Sequence, residues 1–191
     1  MDEDPRTDES LMLAYRAGDG KAFETLYGRW RGPLYRYFLR QCNHGGQADE
    51  LFQDVFMRVI DAAAGYEATA KFSTWLFRIA RNRLVDHWRK TGREPLDPLP
   101  DAAEGEDSEF DPPAPEGAGP ERAVEQGELR AALLAALAEL PEAQREAFLL
   151  AEEGGLTLEE IAAISGVGRE TIKSRLRYAV GKLRNAMEPW R

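Results

Sequence analysis

Between Thr91 and Val124 the chain carries ten acids (Glu94, Asp97, Asp101, Glu104, Glu106, Asp107, Glu109, Asp111, Glu116 and Glu121) against two bases, Arg93 and Arg122. Pro95, Pro98, Pro100, Pro112, Pro113, Pro115 and Pro120 punctuate the same stretch, with Gly105, Gly117 and Gly119. Such a segment cannot bury enough apolar surface to offset the entropy of ordering it. It reads as a linker, extended by proline and by self-repulsion. It splits the chain into an N-terminal unit of residues 1–90, a linker over 91–124 and a C-terminal unit of 125–191. The relative placement of the two units stays open at this level.

The net charge of −9 is unpromising for a nucleic-acid binder until its location is considered. The acidic stretch alone accounts for −8, ten acids less two bases. Two other stretches are basic. Lys71, Arg78, Arg81, Arg83, Arg89 and Lys90 face only Asp86, and Arg169, Lys173, Arg175, Arg177, Lys182 and Arg184 face only Glu170. A partner feels this distribution, not the total. No apolar run approaches the ~20 residues that cross a bilayer, and the start, Met1 to Ser10, is acidic and polar, unlike a secretory signal. A cytoplasmic protein without membrane insertion is expected. Cys42 is the only cysteine, so no internal disulfide forms, and with His44 and His87 it makes no plausible zinc set. No metal or other cofactor is expected.

Both units read as helical, giving an all-α fold. Asp8 or Ser10 is expected to cap a first helix that ends at Gly18, and Asp19 a second that carries Phe23, Leu26, Tyr27 and Trp30 at helical spacing. Gly32-Pro33 should break or kink it before Leu34, Tyr37 and Phe38. Asn43 to Gly46 reads as a loop. A third helix over about 48–64 carries Leu51, Phe52, Val55, Phe56, Val59 and Ile60, and a fourth, capped by Ser73, runs to about Arg89. In the C-terminal unit a helix over about 123–140 shows a stripe of Leu133, Leu134, Leu137 and Leu140, and Pro141 suits the first turn of a helix from Glu142 to Glu152.

Thr157-Leu158-Glu159-Glu160 is a capping box, in which hydroxyl and carboxylate satisfy each other's backbone amides. A short helix with Ile161, Ala162 and Ile164 stops at Ser165-Gly166, and Val167 follows as an apolar plug. A longer helix then starts near Arg169, with Ile172, Leu176, Val180, Leu183 and Met187 facing inward. Short capped helix, glycine turn and long basic helix make up helix-turn-helix punctuation. The outward residues Arg169, Glu170, Lys173, Ser174 and Arg177 suit base edges and phosphates in a major groove. In the N-terminal unit, Lys71 to Arg83 interleaves cations with aromatics, as single-stranded DNA binding requires. Phe77 and Trp88 are expected to be mostly core, which leaves Lys71, Trp75, Arg78, Asn82 and Arg83 as contact candidates.

These motifs together carry a resemblance. Phe72-Ser73-Thr74-Trp75-Leu76-Phe77-Arg78-Ile79-Ala80-Arg81-Asn82 resembles the promoter-melting segment of extracytoplasmic-function (ECF) sigma factors, within the sigma-seventy family. Asp49-Glu50-Leu51-Phe52-Gln53-Asp54-Val55-Phe56 is similar to their core-binding helix. Leu140 to Phe148 and Thr171-Ile172-Lys173-Ser174-Arg175-Leu176-Arg177 resemble their fourth conserved region. The resemblance spans both units in order and omits only the linker.

The resemblance implies the following roles. Asp49, Glu50, Gln53, Asp54 and Phe56 would dock on the clamp of the polymerase's largest subunit, where their acids suit a basic surface. The loop from Gly65 to Phe72, with Lys71, Trp75, Arg78, Asn82 and Arg83, would take a base flipped from the minus-ten element of promoter DNA. Arg169, Glu170, Thr171, Lys173, Ser174, Arg175 and Arg177 would read the minus-thirty-five element. Leu140, Phe148 and Leu149 would hold the polymerase flap tip, positions that equally suit a core. The acidic linker would enter a basic polymerase channel as a nucleic-acid mimic. Many members of the family are held by an inhibitory anti-sigma partner, on which this sequence is silent. Gly168 departs from the Ser or Pro often found where the recognition helix begins, but glycine caps acceptably.

Two other readings compete. A stand-alone helix-turn-helix regulator would need a dimer interface and a palindromic site. No heptad seam offers one, and the N-terminal motif would go unexplained. An enzyme would need a nucleophile, a base and an orienting group. Ser10, Ser73, Ser108, Ser165 and Ser174 lie in no such setting, and no glycine-rich phosphate loop occurs. No catalytic activity is expected.

Overall fold

Thr7 opens the first helix: its hydroxyl accepts the amide of Ser10 while its backbone stays extended. In the computed structural model, which describes residues 4–42, 45–92 and 120–190, α1 then runs over Asp8–Arg16. The cap is thus one residue earlier than Asp8. Asp19 caps α2 (Gly20–Leu39) as expected, accepting from the amides of Lys21 and Ala22. Pro33 does not break α2, which continues through it. The proline removes only the amide that would bond to the Arg29 carbonyl, next to solvent-exposed Gly28. Gly45 and Gly46 form the first turn of α3 (Gly45–Ala62), not a loop, while Asn43 and His44 lie outside the described residues. A 3-10 turn over Ala63–Gly65 closes α3.

The fourth helix, α4 (Phe72–Lys90), begins before Ser73, which is buried within it. Its cap comes from elsewhere in the chain: the Phe72 amide donates to the Glu9 carboxylate of α1 at 2.7 Å. Replacing Glu9 with Ala should therefore strip a buried amide of its acceptor. A loss of about 1–2 kcal/mol is expected on chemical denaturation, with the amides at the start of α4 losing hydrogen-exchange protection first.

The C-terminal unit comprises α5 (Pro120–Ala138), α6 (Glu142–Glu152), α7 (Leu158–Ser165) and α8 (Arg169–Ala186). The tail of the acidic stretch, residues 120–124, is therefore helical, and the rest of it, with its expected place in a polymerase channel, lies outside the described residues. Pro141 stands just before α6 as its N-cap residue. Of the leucine stripe only Leu137 on α5 and Leu140, just past its end, are buried, while Leu133 and Leu134 are more than a third exposed. The C-terminal end of α5 packs on α8 beside Ala136, Ala179 and Leu183. Among the described residues there is no strand, so the fold is all-α, and no helix there is long and apolar enough to cross a membrane.

The two units are packed together. One apolar core joins Leu26, Tyr37, Phe38, Phe72 and Phe77 of the first to Leu149, Leu150, Leu156, Ile161 and Ile172 of the second. Phe77 marks the joint: a Cβ built on Gly154 would stand 3.2 Å from its ring. The same atom would stand 2.7 Å from the Leu150 carbonyl oxygen, so glycine alone permits this approach. Sequence spacing gave no sign of a shared core.

Candidate nucleic-acid interface

The loop from Tyr66 to Lys71 is held at both ends by α1. Glu9 takes the Phe72 amide, and the Arg16 guanidinium donates to the Tyr66 carbonyl at 2.7 Å. Seven residues separate Glu9 from Arg16, two helical turns, so both lie on one face. Tyr66 is buried and packs edge-on against Trp75 with ring centres 5.0 Å apart. Burial pushes the Tyr66 hydroxyl up to about 12, with Glu9 and Asp8 adding to the effect. Between these anchors Glu67 to Lys71 stand exposed.

Beside the loop, α3 and α4 enclose a groove of about 800 Å³. Trp75, Ile79, Asn82, Arg83 and Asp86 line it from α4, and Asp54, Met57, Arg58 and Asp61 from α3. Arg83 is mostly buried and pairs with Asp54, and its other nitrogen lies 3.8 Å from Asp86. The structure thus joins a residue expected to touch DNA to one expected to touch polymerase. Trp75, Asn82 and Arg83 share the groove. Lys71 and Arg78 are exposed but do not line it. A half-buried indole beside an amide and two guanidinium groups offers an unstacked base a stacking partner and hydrogen-bond donors.

On α3 the expected docking residues divide. Asp49, Glu50, Gln53 and Asp54 lie on the outer side, where Glu50 and Gln53 are exposed. Phe56 does not join them. It is 7% exposed and packs against the rings of Tyr27 and Phe52, at 4.8 Å and 5.1 Å. Sequence reasoning missed Met57 and Ile60, which continue the outer side with 56% and 38% exposure. The i, i+3 spacing from Asp54 to Met57 and Ile60 carried that signal.

The helix-turn-helix forms as its caps dictate. The Thr157 hydroxyl accepts the Glu160 amide, the Glu160 carboxylate accepts the Thr157 amide at 2.8 Å, and Gly166 takes a left-handed turn at φ 69°. Ile172, Leu176, Ala179 and Leu183 form the inner line of α8. Val180 is 40% exposed, so Ala179 takes the place expected for it, in keeping with 3.6 residues per turn from Ile172. Glu170, Thr171, Lys173 and Arg177 are exposed on the outer face, with Ser174 and Arg175 half-buried beside them. Arg169 is engaged: it pairs with Glu159 of α7 and, at 3.0 Å, with Glu170. Hydrogen bonding to Glu159 raises the Arg169 guanidinium, and the same bond lowers the Glu159 carboxyl. Lys173 lies 3.7 Å from Glu170, and Arg177 stacks over Tyr178 at 5.1 Å. The intended flap residues are mostly interior: Leu149 is fully buried, Leu140 is 3% exposed, and only Phe148 keeps a partly open side.

A family model of Sigma-70 region 2 matches residues 26–94, and one of Sigma-70, region 4 matches residues 136–185. The RNA polymerase sigma-H factor of Pseudomonas aeruginosa is 29% identical over 182 residues, 95% of this chain and 94% of the relative. The ECF RNA polymerase sigma-E factor of Escherichia coli strain K12 is 32% identical over 183 residues, 96% and 95% of the two chains. Among solved structures, the sigma factor RpoE in complex with the anti-sigma factor NepR from Bartonella quintana superposes with a TM-score of 0.63 at 28% identity, covering 88% of this chain and 98% of that one. CnrH in complex with the cytosolic domain of CnrY gives the same TM-score at 21% identity, a likeness of fold. The ordered pair of regions and near full-length similarity place the chain in the sigma-seventy family, and it belongs to the ECF group of RNA polymerase sigma factors, which are initiation factors and not enzymes.

Proposed function

We propose that, within its role as a sigma factor directing core polymerase to promoters, the protein divides the work among three surfaces. The outer side of α3, with Asp49, Glu50, Gln53, Asp54 and Met57, meets the clamp of the largest subunit. The loop Tyr66–Lys71 and the groove beside Trp75 and Asn82 take an unpaired base of the minus-ten element, with Arg78 and Lys71 on the backbone. The outer face of α8, from Arg169 to Arg177, reads the minus-thirty-five element. Phe148 offers the flap tip its contact, with Leu140 and Leu149 supporting it from beneath.

The observation that carries this reading is the loop clamped by Glu9 and Arg16 next to an aromatic groove. A rigid frame round an exposed loop reduces the entropy lost when a flipped base is captured. The likeness to RpoE held by NepR supports an anti-sigma partner for this chain as well. A cytoplasmic location follows from the role.

Run-off transcription tests the assignment. Purified protein added to core polymerase on genomic fragments should create new RNA 5′ ends that share paired upstream elements. Charge reversal of Asp49 together with Glu50 should weaken core binding and leave the DNA-reading helices folded. New starts that persist undiminished in that variant would remove the clamp assignment, and absence of both core binding and new starts would favour a stand-alone regulator.

A further inference from the structure

The groove beside Trp75 ends in a charged pair. Residues 63–71 join the end of α3 to the start of α4, so its two walls run in opposite directions. At the loop end Tyr66 packs on Trp75, ring centres 5.0 Å apart. At the far end the Arg83 guanidinium donates across the groove to the Asp54 carboxylate of α3. Eight residues, roughly 12 Å of helix, separate Trp75 from Arg83 along α4.

The charges between these ends suit a base and not a phosphate. Asp54, Asp61 and Asp86 stand against Arg58 and Arg83, three carboxylates to two guanidinium groups. A phosphate entering this balance meets net repulsion. A base carries no charge and finds both acceptors and donors for its edge.

Arg83 is the cation on which the balance turns. Its side chain is 16% exposed and that of Asp54 40%. Its Nε is buried without a hydrogen-bond partner. A terminal nitrogen lies 3.8 Å from Asp86, too far for a hydrogen bond. The guanidinium therefore has donors to spare, and the charge-assisted bond to Asp54 is what directs it to α3. Released from that bond, it has the fork geometry and the charge to take a phosphate. Phosphate contacts fix position and carry no sequence information, so binding would grow while discrimination fell.

We propose that Asp54 is a specificity-determining positioning residue of this groove: it holds and neutralises Arg83, so that the groove accepts an uncharged base edge and excludes the phosphate backbone. The proposal rests on the base-capture reading of the groove. It gives a second task to a residue that also stands on the side of α3 assigned to the clamp.

Preformed holoenzyme with core in excess tests it, which keeps any effect of Asp54 on core affinity out of the readout. The DNA is a promoter found by run-off transcription, with its minus-ten strand unpaired and each position in turn made abasic. For the unmodified protein, at least one position should weaken binding sharply when its base is missing. Asp54→Asn should narrow the ratio of intact to abasic affinity there about tenfold, chiefly by tightening binding to the abasic strand. The slope of log affinity against log salt should steepen by about 0.7, the mark of one added phosphate contact on a single strand. Adding Arg83→Gln to Asp54→Asn should cancel both changes, because the released charge is gone.

An Asp54 that only supports the fold would weaken intact and abasic strands alike and leave the slope unchanged. That result overturns the proposal, as does a double variant that keeps the steeper slope. Should Asp54→Asn lose helical content, Arg83→Gln alone decides: base discrimination should persist, and a tenfold fall in the ratio would show that the guanidinium reads the base itself and reject the assignment. If no position of the unmodified protein responds to loss of its base, the base-capture reading fails and the proposal with it. If a responsive position exists and Asp54→Asn leaves its ratio and slope unaltered, the proposal falls alone.

Discussion

Replacing both Arg78 and Asn82 with Ala is expected to reduce promoter-dependent run-off product by about a hundredfold while core binding stays at its original strength. The two residues lie one turn apart on α4, and both are exposed. Asn82 opens onto the groove beside Trp75, and Arg78 lies outside it, on the side available to a phosphate backbone. A base held by stacking and hydrogen bonds is worth about 1–3 kcal/mol, and a charge-assisted phosphate contact adds to this. Loss of two such contacts in one step corresponds to about two orders of magnitude. Exposed positions cost little stability when truncated, within about 0.5 kcal/mol, so the melting curve should not move. The deficit should shrink on a template already unpaired across the minus-ten element, where trapping a flipped base no longer offsets duplex opening. A deficit of the same size on paired and unpaired templates would mean that α4 acts after melting, and full activity of the double variant would remove these residues from the DNA contact.

Where a structural cause is local, the sequence discloses it. The capping box at Thr157, the turn at Gly166 and the start of α8 at Arg169 each depend on residues within four positions of one another, and each forms as expected. The basic, aromatic character of α4 and the acidic outer side of α3 were legible for the same reason. What failed to show depends on distant partners. Ser73 looked like the cap of α4, but the helix begins one residue before it, and its first amide, that of Phe72, is met by Glu9, 63 residues away. Nothing local singles out Glu146 and Glu153, and only the folded chain brings them to arginines 65 to 117 residues distant. Phe56, Leu140 and Leu149 stood in motifs that pointed outward by resemblance, yet their apolar side chains are more stable buried where a core is within reach. The site's chemistry was therefore readable, and the packing that governs access to it was not.

Phe77→Ala should show how far that packing unites the two halves. The ring is completely buried, edge-on to Tyr37 at 5.4 Å and to Trp30 at 6.1 Å, and its far side meets Gly154. Gly154 has no side chain to fill the space, and Trp30 is held by its indole bond to Asp8 at 2.9 Å. Truncation of a buried Phe costs about 3–5 kcal/mol, a large share of the 5–15 kcal/mol that holds a typical domain folded. At about 2–4 °C per kcal/mol for a chain of this size, the melting temperature should fall by about 10 °C. The distribution of the loss is the sharper test. Phe77 belongs to α4, so a chain of independent halves would lose protection only in α1–α4. With one core across the seam, hydrogen exchange should accelerate in α6 and α7 as well, and the whole chain should melt in a single transition at the lower temperature. Native protection of Leu149, Leu150 and Ile161 in the variant would show that the C-terminal unit draws its stability from its own helices, and that the seam contributes to closure without contributing to folding.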